Sequence, residues 1–437
     1  MPTTHYPCPG LVEVAVADPV GIWRGMFLAS NGELFGVCGA SVYYISNGFT
    51  LVKLGSIAVG TGRVYMADNG TTLWLVDGTL SGYSITLATH AFATIVDGNF
   101  LGGTGIGYLD TYMVLSQPST QSFYSTLSNS TTLDPLYIAA KTGSPDKLVT
   151  LGVVRREIWL IGELTTEIWN NVGGAAFPFA IMNGVFIEHG CVARDSLAKH
   201  DLMLFWLSKD REGHAIVTMG VAYQAQRIST HALEQEIQGY STVSDAVGFC
   251  FQQDGHIFYQ LTFPTADKTW VYDAQTKAWH ERVWLDEDGE EHRHRANVGA
   301  FAYGVQVVGD WENGKLYRLD PAVYTDDGDP IIRRRGFPHL VNDGKRVSYQ
   351  SLIADIESGG AVEAGVAVNI SLRWSDDRGK SWGNPVQQTL GQRGDYINQP
   401  QWNRLGLARD RVFELFWSVN AKTALNGAYI DALPLGS

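Results

Sequence analysis

Residues 31–55 read NGELFGVCGASVYYISNGFTLVKLG, and the alternation of turns and runs in this stretch decides the fold. Asn31-Gly32 opens the run LFGVCG, a short break leads into SVYYIS, and Asn47-Gly48 turns the chain into FTLVKLG. Asn and Gly tolerate the positive φ of a tight two-residue turn, so runs joined in this way are predicted to be β-hairpins. The pattern returns as VYMA, Asp68-Asn69-Gly70, TTLWLV, Asp77-Gly78 and a further strand over residues 83–87. Later, Gln253-Asp254-Gly255 introduces HIFYQLTF, and TWVYD, a turn and AWHERV supply the outer half of a four-stranded sheet.

Runs of this kind begin near Leu34, Leu73, Tyr112, Glu157, Leu202, His256 and Phe301, at intervals of 39, 39, 45, 45, 54 and 45 residues. That spacing is the length of a β-propeller blade. The seventh copy is partial: AYGVQVVGD, Trp311-Glu312-Asn313-Gly314, then KLYRLD. The blade number is therefore six or seven, because the last hairpin is also free to join the carboxy-terminal domain. Helical signals are nearly absent; the best, around Ser229 to Gln238, reads as a short amphipathic helix or a turn.

Between Thr325 and Lys345 the rhythm breaks at Asp326-Asp327-Gly328-Asp329-Pro330, Arg333-Arg334-Arg335 and Asn342-Asp343-Gly344. Beyond it VSYQSLIADIES, AVNISLRWSDD, the region from Trp402 to Leu407 and VFELFWSV alternate with a period of two, which predicts a small antiparallel sandwich. The expected fold is all-β, a six- or seven-bladed propeller followed by a small antiparallel β-sandwich-like domain. The expected organisation is an amino-terminal extension (1–20), the propeller (21–325), a basic linker (326–346) and a carboxy-terminal β domain (347–437).

Composition agrees. A chain of 437 residues exceeds one simple core. With 45% hydrophobic and 18% charged residues it is globular, and 48 Gly with 13 Trp, 19 Tyr and 18 Phe suit many tight turns and aromatic packing. No apolar run reaches the roughly 18 residues of a membrane helix, and residues 1–10 lack a signal-peptide pattern, so a soluble chain without membrane insertion is expected. Cys8, Cys38, Cys191 and Cys250 are scattered without a CxxC pair, which favours free thiols in a reducing cytoplasm. Residues 1–330 carry 19 Lys/Arg against 35 Asp/Glu, a balance of −16, and residues 331–437 carry 13 against 10, a balance of +3. The acidic part repels phosphates, so it is suited to enclosing DNA without gripping it.

Candidate chemistry is sparse. Ser375-Asp376-Asp377-Arg378-Gly379-Lys380-Ser381-Trp382 resembles the Asp box of sialidases, in which Ser and Asp close a turn and Trp packs on the sheet. Ser375, Asp377, Gly379 and Trp382 are thus structural candidates, and the arginine triad and Tyr/Glu pair of a sialidase are not assignable. His280, His292 and His294 invite a metal site, but the neighbouring run from Asp286 to Arg295 reads as an exposed, charge-rich blade loop. Gly102 to Gly107 lacks the Lys and the helix of a phosphate loop, and no catalytic motif or cofactor site is assigned. Arg333, Arg334 and Arg335 with Lys345 and Arg346, and the group Arg404, Arg409 and Arg411, are the concentrated basic clusters. They are candidates for docking an acidic surface, including the propeller of a neighbouring copy.

Several stretches resemble one family, the packaged-DNA stabilisation or tail hub (nozzle) proteins of short-tailed bacteriophages. They are Ser144 to Val149, REIWLIGELTTEIWNN, Phe177-Pro178-Phe179, FIEHGCVARDS, LFWLSKDREGHAIV, LRWSDDRGKSW and WNRLGLARDRVFELFWS, spread from about Gly32 to Leu433. The resemblance implies a virion structural protein of the tail, not an enzyme, made in the host cytoplasm. It implies a propeller joined to a smaller β domain and a ring of copies, six-fold by expectation, below the portal and its adaptor. That ring would continue the DNA channel, help retain packaged DNA without sequence-specific binding, and attach a tail needle, fibres or spikes. The short start, residues 1–19, suggests processing, or a first blade that a partner closes. A carbohydrate-binding or carbohydrate-cleaving propeller with a receptor-recognition role is the alternative.

Overall fold

A computed structural model of the chain describes residues 4–360 and 368–435. Residues 1–3 of the expected extension, and 361–367 and 436–437 of the expected carboxy-terminal domain, lie outside the described residues. The chain is divided into one unit of residues 13–282 and 292–318 and another of residues 1–12, 283–291 and 319–437. It therefore passes four times from one unit to the other.

In the first unit, four-stranded antiparallel sheets follow one another. Blade 1 runs from Trp23–Leu28 to Leu51–Ser56, blade 2 from Tyr65–Asp68 to Ala91–Thr94, and blade 3 from Ile106–Leu109 to Leu133–Ala140. Blade 4 runs from Leu148–Val154 to Phe179–Ile187, blade 5 from Ala198–His200 to Gln224–Arg227, and blade 6 from Val247–Gln253 to Ala278–Glu281. Blade 7 has three strands of its own, Ala296–Ala302, Val305–Asp310 and Lys315–Asp320, and takes its fourth strand, Gly10–Val16, from the chain start, with Thr325–Asp326 and Asp329–Pro330 continuing the sheet beyond it. Its inner strand packs between those of blades 6 and 1, so the propeller is a closed ring of seven.

The chain start is therefore a strand of the ring, which corrects the expected extension over residues 1–20. An ion pair of 2.7 Å from Lys315 to Glu13 and a 2.9 Å bond from the Ala17 N–H to the Gly314 carbonyl fix it. Pairing first strand with last removes the exposed edge that an open chain of blades would present. No partner is needed to complete blade 1, whose four strands are all local.

Packing explains why the repeat was visible. The second strand of each blade is covered on both faces by its neighbours, so Leu34–Cys38 and Glu157–Gly162 are buried at every residue and read as unbroken apolar runs. Apolar clusters fill the spaces between blades, for example Phe35 and Val37 of blade 1 with Leu73 and Leu75 of blade 2. Inner strands of adjacent blades approach closely at particular positions. A Cβ on Gly107 would lie 2.5 Å from the Val153 side chain of the next blade. A buried ion pair braces the connection from blade 3 to blade 4. Lys141, fully buried, bonds Asp146 and, at 2.6 Å, the Thr165 hydroxyl. The expected helix is present as His231–Gln238, capped by the Thr230 hydroxyl accepting from the Leu233 N–H at 3.3 Å.

The second unit holds the sandwich. One sheet orders Arg333–Gly336, Asp410–Trp417, Val368–Ser375 and Val386–Gly391, with Leu340–Val341 also paired to Asp410–Trp417. The other orders Gln401–Ala408, Val347–Ile356 and Leu425–Pro434. Tyr349, Leu352, Ile370, Leu372, Trp402, Phe413 and Leu415 interleave between them. Residues 326–346 are not a linker: Arg333–Gly336 and Leu340–Val341 are strands of the sandwich, so the basic cluster is part of a sheet. Residues 283–291, a hairpin arm between blades 6 and 7, also belong to this unit.

Candidate functional site

Only part of the two arginine groups shares a sheet: Arg333–Gly336 and the strand of Arg411, Asp410–Trp417, pair in the first sheet, whereas Arg404 lies on a strand of the second. Their side chains divide into two classes. Arg333 is 9% exposed, donates to the Val419 carbonyl at 3.0 Å and lies over the Tyr324 ring; burial lowers its pKa. Arg411 is 3% exposed, grips both carboxylate oxygens of Asp376 at 2.5 and 2.7 Å, and sits among Tyr349, Trp374 and Phe413. These two are interior residues with partners in their own unit. Arg334 bonds Glu291 of the hairpin arm. Arg334 is exposed as well, and so are Arg335, Lys345, Arg346, Arg404 and Arg409. Register places Val347 opposite Ala408, which sets Arg346 beside Arg409 at one end of the second sheet.

The Asp-box-like turn joins this network. The Ser375 hydroxyl donates to Asp377 at 2.7 Å and accepts the Gly379 N–H at 2.8 Å. The Ser381 N–H and hydroxyl donate to the two Asp377 oxygens at 2.8 and 2.6 Å, and these serine donors hold that carboxyl far below its usual range. Gly379 has φ of 87°, where a side chain would be strained. Trp382 lies beneath the Arg373 guanidinium, 4.7 Å from its ring centre. Arg373 is held by Glu414, and Glu414 lies 3.7 Å from Arg334. The serines and the aspartate are thus bonded to one another within the turn that follows the strand.

The second feature lies on the propeller axis and was not predicted. The loop ahead of blade 5 carries Arg194 and Asp195 in a 3₁₀ turn, and the loop ahead of blade 2 carries Arg63. Asp195 accepts the Arg63 N–H at 3.0 Å and the Arg194 Nε–H at 2.7 Å. Arg63 Nη1 donates back to the Asp195 and Leu197 carbonyls and to Gly248 of blade 6. Tyr65 Oη donates to the Arg194 carbonyl at 2.8 Å, and Arg24 of blade 1 binds the Gly62, Gly39 and Ala58 carbonyls. Burial alone would push the Asp195 carboxyl up; Arg194 and Arg63 outweigh it and hold the group below its usual range. This latch closes one end of the axial bore. Below it lies a cavity of about 740 Å³ lined by inner-strand residues of all seven blades. The sequence signal was available: Arg194-Asp195 interrupts an otherwise apolar stretch between two blades.

The histidines do not come together. His292 pairs with Asp267 at 2.7 Å, His280 lies beside the Phe258 ring, and His294 is buried, where burial keeps it neutral. Among the described residues no three metal-ligating side chains converge. The segment from Asp286 to Arg295 is exposed only in part. Residues 287–290 are exposed, Arg293 stacks over Trp311 at 4.1 Å, and Arg295 bonds Glu312 at 2.8 Å. Cys38 and Cys191 are buried, and no disulfide links the cysteines among the described residues. No helix among the described residues is long and apolar enough to cross a membrane.

A family model described as Bacteriophage P22 Gp10, beta-propeller, matches residues 5–324, and one described as Bacteriophage P22 Gp10, beta-sandwich, matches residues 333–432. No curated protein matches the chain. Among solved structures it is similar to the WD40 repeats of RRP9, at 10% identity and a TM-score of 0.45, over 72% of this chain and 99% of that one. A structure of U3-55K is similar at 10% identity and a TM-score of 0.45, over 71% of this chain and 99% of that one.

Proposed function

The chain belongs to the bacteriophage P22 Gp10 family of tail hub proteins and is a structural component of a phage tail; from that premise we propose that its copies form a ring below the portal and its adaptor. The ring, six-fold in this reading, continues the DNA channel, retains packaged DNA and carries the needle, fibres or spikes. The observation that carries it is the contrast between the two parts of the chain. Residues 1–330 have a balance of −16, while the sandwich presents Lys345, Arg346 and Arg409 at one sheet end and Arg335 and Arg404 elsewhere on its surface. Opposite charges on two parts of one protomer favour head-to-tail contact between copies, which closes into a ring when the rotation permits. An acidic lumen repels phosphates at every position alike, so DNA slides through it without a preferred stop.

No catalytic step is assigned. The Asp-box-like turn ties its serines and aspartate to one another, which supports a structural role over a glycosidase. Arg346→Glu with Arg409→Glu is expected to leave the monomer folded and to block its addition to tail-less, DNA-filled heads. Assembly at the wild-type level by that variant would remove these residues from the interface. Quantitative mass spectrometry of purified particles, before and after DNA release, tests the tail role itself: stoichiometric retention in the tail fraction supports it, and absence from virions overturns it.

A further inference from the structure

We propose that the axial cavity of the propeller is a binding site for one small organic anion with an apolar body. The cavity is shut at one end by the Arg63–Asp195 latch, and its volume of about 740 Å³ lies in the range of small-molecule sites. It is far too small for a nucleic acid duplex. Its wall is mostly apolar, with Phe27, Met66, Ile106, Leu151 and Phe249 lining it. Binding sites of this kind add a few polar groups that fix the orientation of an otherwise greasy ligand.

Here those groups are cationic. Arg63 lines the closed end, and beyond the bonds of its N–H and Nη1 its Nε and Nη2 have no hydrogen-bond partner among the described residues. Lys199, on the inner strand of blade 5, lines the wall and makes no ion pair among the described residues. Its pKa is lowered, because the surrounding wall outweighs the more distant charge of Asp201. Asp68 is the carboxylate on the lining, and it is already engaged by the Ser30 N–H at 3.1 Å, the Ser30 hydroxyl and the Gly70 N–H at 2.8 Å. A chain with a net charge of −13 thus sets two cationic side chains on the lining of its axial hollow, Arg63 beside the Asp195 it shares with Arg194, and Lys199 without an ion-pair partner among the described residues. A carboxylate, sulfonate or phosphate monoester would supply the missing counter-charge, and its apolar part would cover the hydrophobic wall.

The intact chain can be titrated with 8-anilinonaphthalene-1-sulfonate and, in parallel, with the uncharged N-phenyl-1-naphthylamine, following fluorescence. One saturable sulfonate site per chain is expected. In Lys199→Met the sulfonate should bind roughly tenfold more weakly, as loss of one ion pair at the cavity wall implies, while the neutral dye is unchanged. Leu151→Trp, which fills the hollow, should abolish both. Sulfonate binding unaltered in Lys199→Met, several weak sites in place of one, or equal loss of both dyes in Lys199→Met would each overturn the proposal. Lys199→Met alters a water-accessible side chain, so it decides the matter even if the tryptophan variant does not fold.

Discussion

Asp195 accepts the backbone N–H of Arg63 at 3.0 Å, although the two residues lie ahead of blades 5 and 2, as far apart around the axis as a ring of seven allows. The bond ties opposite sides of the propeller through one carboxylate. Asp195→Ala leaves Arg63 and Arg194 without their shared anion and is expected to destabilise the propeller by about 3 kcal/mol. Calorimetric melting at pH 7 measures it. The folded carboxyl sits below its unfolded pKa, so its contribution is present above the ordinary carboxylate range and is lost as pH falls through the folded value. Wild type and variant should therefore converge in stability in strong acid.

Asp146 has a similar dependence in a different place. Against the opposing effect of burial, its bonds from Lys141, Leu164 and Thr165 hold its carboxyl at about 2. The stabilisation is complete above roughly pH 4, the ordinary Asp range, and is lost as pH falls through about 2. Asp146→Ala strands a fully buried ammonium and is expected to cost about 3–5 kcal/mol at neutral pH. Equilibrium urea unfolding monitored by tryptophan fluorescence should show it, with partial rescue by Lys141→Met in the same chain.

Ring closure is testable without changing blades 1 to 6. A chain lacking residues 1–16 exposes the third strand of blade 7 as a free edge and should aggregate on size-exclusion chromatography. A synthetic peptide of residues 10–19 should bind that edge and restore the monomer. A truncated chain that remains monomeric and melts like the whole protein would argue against the closing role of Gly10–Val16.

Within the sandwich, two arginines two positions apart should behave oppositely. Arg411→Ala removes the bond to Asp376 and the ring contacts of a core side chain, and is expected to cost about 2–4 kcal/mol. Arg409→Ala, at an exposed site, should stay within about 0.5 kcal/mol of wild type. Thermal melts of the two single variants separate the structural arginine from the surface one.

The propeller was legible because its most regular strands are also its most buried. Leu34, Tyr112, Glu157 and His256 each start the second strand of a blade, where two neighbours enforce continuous apolar character. Phe301 broke the register, since it belongs to an inner strand and the second strand of blade 7 begins at Val305. The inner strands were faint because close approach of adjacent blades selects glycine over large side chains, as at Gly107 and Gly152. Blade 7 was ambiguous for a stronger reason. Its fourth strand lies some 300 residues away in sequence, and no local pattern shows such pairing. For the arginines, clustering was visible and burial was not: of Arg333–Gly336 only Arg333 is buried, while Arg334, Arg335 and Gly336 are exposed, a split that three successive arginines do not show in sequence.

Closure by the chain start also governs the order of events on the ribosome. Residues 10–16 are among the first to emerge, yet their partner, Lys315–Asp320, is made about 300 residues later. At roughly 5–20 residues per second, the earliest strand waits on the order of 15–60 seconds with its hydrogen-bonding edge unpaired. Blades 1 to 6 have all their strands close together in sequence and are able to form during that interval. The final step is then a single long-range docking of a short, already exposed segment, slow relative to hairpin formation because a very large loop must close. Until it occurs, a nascent chain with six finished blades and a free first strand can pair with another such chain as readily as with itself, so yield should fall with expression rate more steeply than the stability of the finished ring would suggest.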